Sequence, residues 1–94
     1  MAKIARVSHL QEFKNSGRKF SCLTSYDQFT AEIFDEAGIN VLLVGDSASE
    51  NALAHDSVLA ITVDEIIPLG RAVAKAASRA LVVVDMPFGS YEAE

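Results

Sequence analysis

Two aspartates occupy positions from which they could do chemistry together. Asp46 closes the segment Val41-Leu42-Leu43-Val44-Gly45, and Asp85 follows Ala80-Leu81-Val82-Val83-Val84 directly. If both apolar runs are neighbouring parallel strands, the two carboxylates lie about one strand spacing apart, roughly 5 Å. Carboxylates that close repel and raise each other's pKa unless a cation lies between them. Hard oxygen ligands with no cysteine or histidine beside them point to Mg²⁺ or Mn²⁺ rather than zinc. Gly45 would let the backbone or a ligand approach closely. An aspartate after a strand also commonly caps the next helix or pins a turn, and spacing alone leaves both readings open.

The other reactive side chains are weaker candidates. Thr24-Ser25-Tyr26-Asp27 forms a third polar cluster after an apolar run. Tyr26 there is read as a packed aromatic with a hydrogen-bonded hydroxyl rather than a catalytic acid. His9 and His55 each stand alone, with no second ligand at helical or hairpin spacing, and are assigned surface or packing roles. Cys22, the single cysteine, lies between Phe20 and Leu23 and is read as a small buried hydrophobe. Asp56-Ser57 reads as a turn, and Arg71 with Lys75 as a solvated helix face. No phosphate-binding loop, dinucleotide fingerprint or Ser-His-Asp order is present.

The elements that must position these residues follow from apolar periodicity and stop signals. A first helix is expected from Ser8, with Gln11 completing a capping box and Gly17 ending it. Phe20 to Thr24 reads as a strand. A second helix follows Asp27, with Phe29, Ile33, Phe34 and Ala37 on one face and Gly38 as its stop. Asn40 to Val44, apolar on both faces, suits a covered parallel strand. Gly45 to Ile61 is expected to be a long connection. Thr62 and Glu65 form a second capping box, opening a helix over about residues 63–77. Pro68 is expected to kink that helix or shift its start. Ala80 to Val84 is the third strand. The order α-β-α-β-α-β calls for right-handed crossovers and a parallel sheet.

Bulk properties narrow the classes. Ninety-four residues, half of them hydrophobic, make at most one small domain with a packed core. A net charge of −5 argues against a nucleic-acid footprint or an anionic membrane surface. The longest apolar run is strand-sized, no secretory leader is read over Met1 to Val7, and one cysteine precludes an internal disulfide. A cytoplasmic protein is therefore expected. Three parallel strands fit a small doubly wound sheet or the opening of a (β/α)₈ barrel, which needs about 250 residues in full. The chain reads as a fragment.

Five motifs carry a more specific resemblance: Leu23-Thr24-Ser25-Tyr26-Asp27, Val41 to Ser47, His55-Asp56-Ser57, Ile61 to Glu65, and Val84-Asp85-Met86-Pro87-Phe88-Gly89-Ser90-Tyr91. Their order and spacing resemble the N-terminal third of the ketopantoate hydroxymethyltransferases. The resemblance implies the N-terminal part of a single (β/α)₈ barrel domain over residues 1–94, in a homo-oligomer, commonly a decamer. It implies transfer of a hydroxymethyl group from 5,10-methylenetetrahydrofolate to 3-methyl-2-oxobutanoate, giving 2-dehydropantoate for pantothenate synthesis. It implies Asp46 and Asp85 as Mg²⁺ ligands, and Asp46, Ser47 and Asp85 as oxoacid contacts. The cation would act as a Lewis acid stabilising an enolate that attacks the one-carbon unit.

The same resemblance places a third metal-facing carboxylate, a substrate lysine and a glutamate base beyond residue 94. No catalytic base is therefore expected within this chain, and the 94 residues alone are expected to be inactive. Glu50-Asn51 and Ala54 stand where glycines and apolar residues are commoner in the family, and Ala60 replaces a family-like proline. Two rival readings are an oxoacid enzyme similar to the isocitrate lyase and phosphoenolpyruvate mutase group, and a non-catalytic association module. The first usually shows Asp-x-Asp after its third strand, where this chain has Asp85-Met86-Pro87.

Overall fold

The computed structural model describes residues 6–90. The leader reading over the first residues and the final tyrosine of the last motif, Tyr91, lie in whole or in part outside them. Three strands, β1 (Cys22–Thr24), β2 (Val41–Val44) and β3 (Leu81–Val84), form one parallel sheet in the order β1-β2-β3. The register pairs Thr24 with Leu43 and Val44 with Val84. Helices α1 (Val7–Asn15), α2 (Gln28–Glu36), α3 (Ala48–Asn51) and α4 (Val63–Ala76) precede or join the strands. The expected parallel α/β arrangement is therefore present, as in the opening of a (β/α)₈ barrel.

Local chemistry explains the helix ends. At Gly17 (φ 72°) the Arg18 N–H reaches the Phe13 carbonyl at 2.8 Å, and the Gly17 N–H reaches Lys14. Gly38 (φ 92°) repeats the arrangement, with Ile39 donating to Phe34 and Gly38 to Asp35. Both expected glycine stops are thus left-handed terminations that satisfy the last helical carbonyls. The Thr62–Glu65 capping box is formed in both directions. α4 runs through Pro68 without a shifted start, because its N-terminus is fixed by that box.

Several expectations are corrected. Ser8 does not cap α1; Arg6 holds the cap position and its N–H donates to His9 Nδ1 at 3.0 Å. Gln11 instead donates to Asn15 one turn on. The 45–61 connection carries structure of its own: α3, and a 3₁₀ turn at Val58–Ala60 capped by Ser57. Cys22 is exposed, since β1 lies at an edge of the sheet and all three of its residues are exposed.

The core runs through Ala31, Leu42, Val44, Ala48, Ile61, Ile66, Val73 and Ala80. β2 is the central strand, and Val41, Leu42 and Val44 are buried. α4 turns Ile66, Gly70 and Val73 inward at the i, i+4, i+7 spacing of a helical face. Gly70 permits a close approach, since a Cβ there would sit 3.2 Å from a Val84 methyl. The α2 face departs from expectation. Ala31 and Asp35 are buried, whereas Phe29 and Ile33 are 75% and 62% exposed. α2 and α4 are neighbours, and a crevice between them is lined by Gln28, Glu32, Ala72, Lys75 and Ala76.

Asp35 is the main polar anchor of the packing. Its carboxylate accepts from the Ser78 N–H and hydroxyl, the Arg79 N–H and, at 2.7 Å, the Ala80 N–H. The Arg79 guanidinium returns to the backbone carbonyls of Asp35 and Glu36. The end of α2 is thereby tied to the turn that launches β3.

Candidate functional site

The three strands deliver their C-terminal residues to one level. Continuing the register by a residue or two beyond Thr24, Val44 and Val84 places Tyr26, Gly45 and Asp85 side by side, with Asp46 and Ser47 next in the chain. The Ser25 N–H donates to the Leu43 carbonyl and the Asp85 N–H to the Val44 carbonyl, both at 3.0 Å. The ladder is thus extended up to the site. Ser25 is buried and its hydroxyl pairs with Thr30 at 2.8 Å, which fixes the turn that presents Tyr26.

The Asp46 N–H donates to Asp85 Oδ2 at 3.2 Å, which orients the Asp85 carboxylate across the end of β2. A Cβ on Gly45 would lie 3.3 Å from that same Oδ2 and 3.6 Å from Ser47 Oγ. Glycine is thus favoured here by close approach rather than by backbone angle. The Tyr26 hydroxyl pairs with Ser47 Oγ across 21 residues of sequence. Asp46, Ser47 and Asp85, picked out separately in the sequence, are brought together, and Tyr26 joins them.

The capping alternative is realised by a different aspartate. Asp27 Oδ1 accepts the Thr30 N–H at 2.8 Å as the N-cap of α2. The cap position of α3 belongs to Ser47, not Asp46, and Ser47 makes no side-chain cap bond.

The donor set fits a hard divalent cation. The Asp85 carboxylate and the Ser47 hydroxyl meet beside Gly45, and Asp46 joins them through its backbone N–H. Among the described residues no third His, Cys, Asp or Glu joins the pair. Mg²⁺ is commonly held by one or two carboxylates, its remaining positions going to water and substrate oxygens.

His55 lies outside this group but is not isolated. Its Nε2 contacts Glu65 Oε2 at 2.8 Å, while Glu65 Oε1 closes the capping box with Thr62. Those hydrogen bonds, the one with His55 first, hold the Glu65 carboxyl below the ordinary glutamate range. The buried Ser49 hydroxyl donates to the Ser57 carbonyl, and the His55 N–H to the Ser49 carbonyl. Together these contacts pin the connection between α3 and α4. Ala54, within it, adopts φ 58°, a left-handed conformation that favours glycine.

The packing role with a hydrogen-bonded hydroxyl expected for Tyr26 holds, and the partner, not apparent in the sequence, is Ser47. A tyrosine two residues past the first strand, beside a serine two residues past the second strand's glycine, was the available signal.

Parallel strands with carboxylates and hydroxyls at their carboxyl ends define an α/β protein of the kind whose sites form in the strand-end loops. A profile of the ketopantoate hydroxymethyltransferase family matches residues 4–94. The 3-methyl-2-oxobutanoate hydroxymethyltransferase of Arthrobacter sp. (strain FB24) is 63% identical over 87 residues, covering 93% of this chain and 29% of that protein. Those of Nocardioides sp. (strain ATCC BAA-499 / JS614) and Corynebacterium efficiens are 59% and 58% identical over 91 residues, covering 97% of this chain and 31% and 34% of those proteins. The chain belongs to the ketopantoate hydroxymethyltransferase family, and spans about a third of the length of these curated relatives. Among the described residues no helix is long and apolar enough to cross a membrane.

Proposed function

We propose that these residues supply the oxoacid- and cation-binding strand ends of a 3-methyl-2-oxobutanoate hydroxymethyltransferase. The reaction would move the one-carbon unit of 5,10-methylenetetrahydrofolate, with addition of water, to C3 of the oxoacid as a hydroxymethyl group, giving 2-dehydropantoate and tetrahydrofolate. The observation that carries the reading is the meeting of the Asp85 carboxylate and the Ser47 hydroxyl beside Gly45, with the Asp46 N–H bonded to Asp85, in a chain whose relatives bear that activity in their names. When bound, Mg²⁺ or Mn²⁺ would supply Lewis-acid polarisation of the keto group. Asp46 and Asp85 would hold it.

The chain's own contribution is binding and orientation. The Asp46 N–H fixes the Asp85 carboxylate at the end of β2. Gly45 leaves room for a ligand beside them. The Ser47 hydroxyl offers a donor to a ligand oxygen. Abstraction of the C3 proton is assigned to a base outside these residues. The reading extends to a single (β/α)₈ domain of which this is the N-terminal part, and to a cytoplasmic homo-oligomer such as a decamer. Exposed apolar side chains at the sheet edges, Leu23, Val83 and Val84, are in keeping with further strands alongside.

The test is a transferase assay on the longest natural chain that carries these residues and on residues 1–94 alone. Formation of 2-dehydropantoate by the former and none by the latter is expected. Turnover by the 94 residues alone would overturn the assignment of the base elsewhere, and no turnover by the longer chain would overturn the proposed function.

A further inference from the structure

Ser47 precedes α3 with helical backbone angles (φ −59°, ψ −15°), and its hydroxyl makes no capping bond to a backbone N–H. Its Oγ is instead paired with the phenol of Tyr26. The Tyr26 ring is partly buried and packed against the core, so the phenolic oxygen is delivered to the strand ends from a fixed base. Ser47 Oγ is in turn held close to the same point above Gly45 as Asp85 Oδ2.

We propose that Tyr26 is a positioning residue that sets the direction of the Ser47 hydroxyl proton toward the oxoacid. A serine hydroxyl has one hydrogen to give and two lone pairs. If the phenol donates to Ser47 Oγ, one lone pair is occupied and the serine hydrogen is left for a ligand oxygen. Asp85 is an acceptor only, so a carboxylate or keto oxygen placed beside it gains from a neighbouring donor. A hydrogen bond to a charged oxygen is worth more than one between neutral groups. This inference rests on the proposed function, since it needs the oxoacid at Ser47.

The experiment is calorimetric titration of 3-methyl-2-oxobutanoate, with Mg²⁺ present, into the longest natural chain and its variants Tyr26→Phe, Ser47→Ala and the double substitution. Tyr26→Phe removes one oxygen and keeps the packed ring, so the fold is retained and a melting curve of each variant checks it. Each single variant is expected to bind the oxoacid about tenfold more weakly, the scale of one lost hydrogen bond to a charged group. Because Tyr26 acts through Ser47, the double variant is expected to fall within about twofold of Ser47→Ala. Unchanged affinity in Tyr26→Phe overturns the inference alone. So does a Tyr26→Phe loss that recurs undiminished in the Ser47→Ala background, or one accounted for by a fall in melting temperature. Absence of oxoacid binding by the unsubstituted protein overturns the proposed function and this inference with it.

Discussion

Replacing Asp35 by asparagine removes a buried charge that the fold has surrounded with donors. The carboxylate is 3% exposed. Burial alone would push its pKa up, but hydrogen bonds from the Ala80 N–H, the Ser78 hydroxyl and N–H, and the Arg79 N–H outweigh it and lower the pKa from 3.8 to about 2. At 1.36 kcal/mol per unit that difference is worth about 2.4 kcal/mol. The folded-state pKa is depressed, so this stabilisation is complete above the unfolded value of 3.8 and is lost as pH falls toward about 2. Asp35→Asn should therefore lower unfolding free energy by about 2 kcal/mol near neutral pH. It should also flatten the acid limb of the stability profile over that interval. Urea unfolding followed by circular dichroism, on the longest natural chain, measures both. A loss under about 0.5 kcal/mol, the scale of an ordinary surface substitution, or an acid limb as steep as before, would refute the reasoning.

Two further substitutions probe the loops around the site. Gly45→Ala would place a methyl 3.3 Å from Asp85 Oδ2; displacement of that carboxylate should weaken cation binding about tenfold, a loss on the scale of one charge-assisted contact, read by Mn²⁺ titration. Ala54→Gly should stabilise by about 0.5–1 kcal/mol, since φ 58° costs alanine more than the added chain entropy costs glycine; a fall in the urea midpoint would contradict this.

The elements legible in the sequence are those whose signals are local. Gly17 and Gly38 are legible as stops because a left-handed residue is needed to close each helix, and Thr62 with Glu65 as a start because a capping box is complete within four residues. The three strands were legible as apolar runs, and their parallel order followed from the helices between them. What was missed depends on partners distant in sequence. Asp35 is unremarkable until Ser78, Arg79 and Ala80 fold back on it. Phe29 and Ile33 look like a core face, but α2 buries Ala31 and Asp35 instead. Cys22 is apolar in context yet lies on an edge strand. Asp46, Ser47 and Asp85 each stand out in the sequence by position and motif. The Tyr26–Ser47 pair needed the register of β1 on β2 to be known.

The central claim, that Asp46 and Asp85 hold one divalent cation for the oxoacid, is tested most directly by titrating Mn²⁺ in the presence of 3-methyl-2-oxobutanoate. The titration is run on the longest natural chain and on its Asp46→Ala and Asp85→Ala variants. Each substitution is expected to weaken Mn²⁺ binding by at least about tenfold, as removal of one of two carboxylate ligands should. Unchanged affinity in both variants would contradict the account.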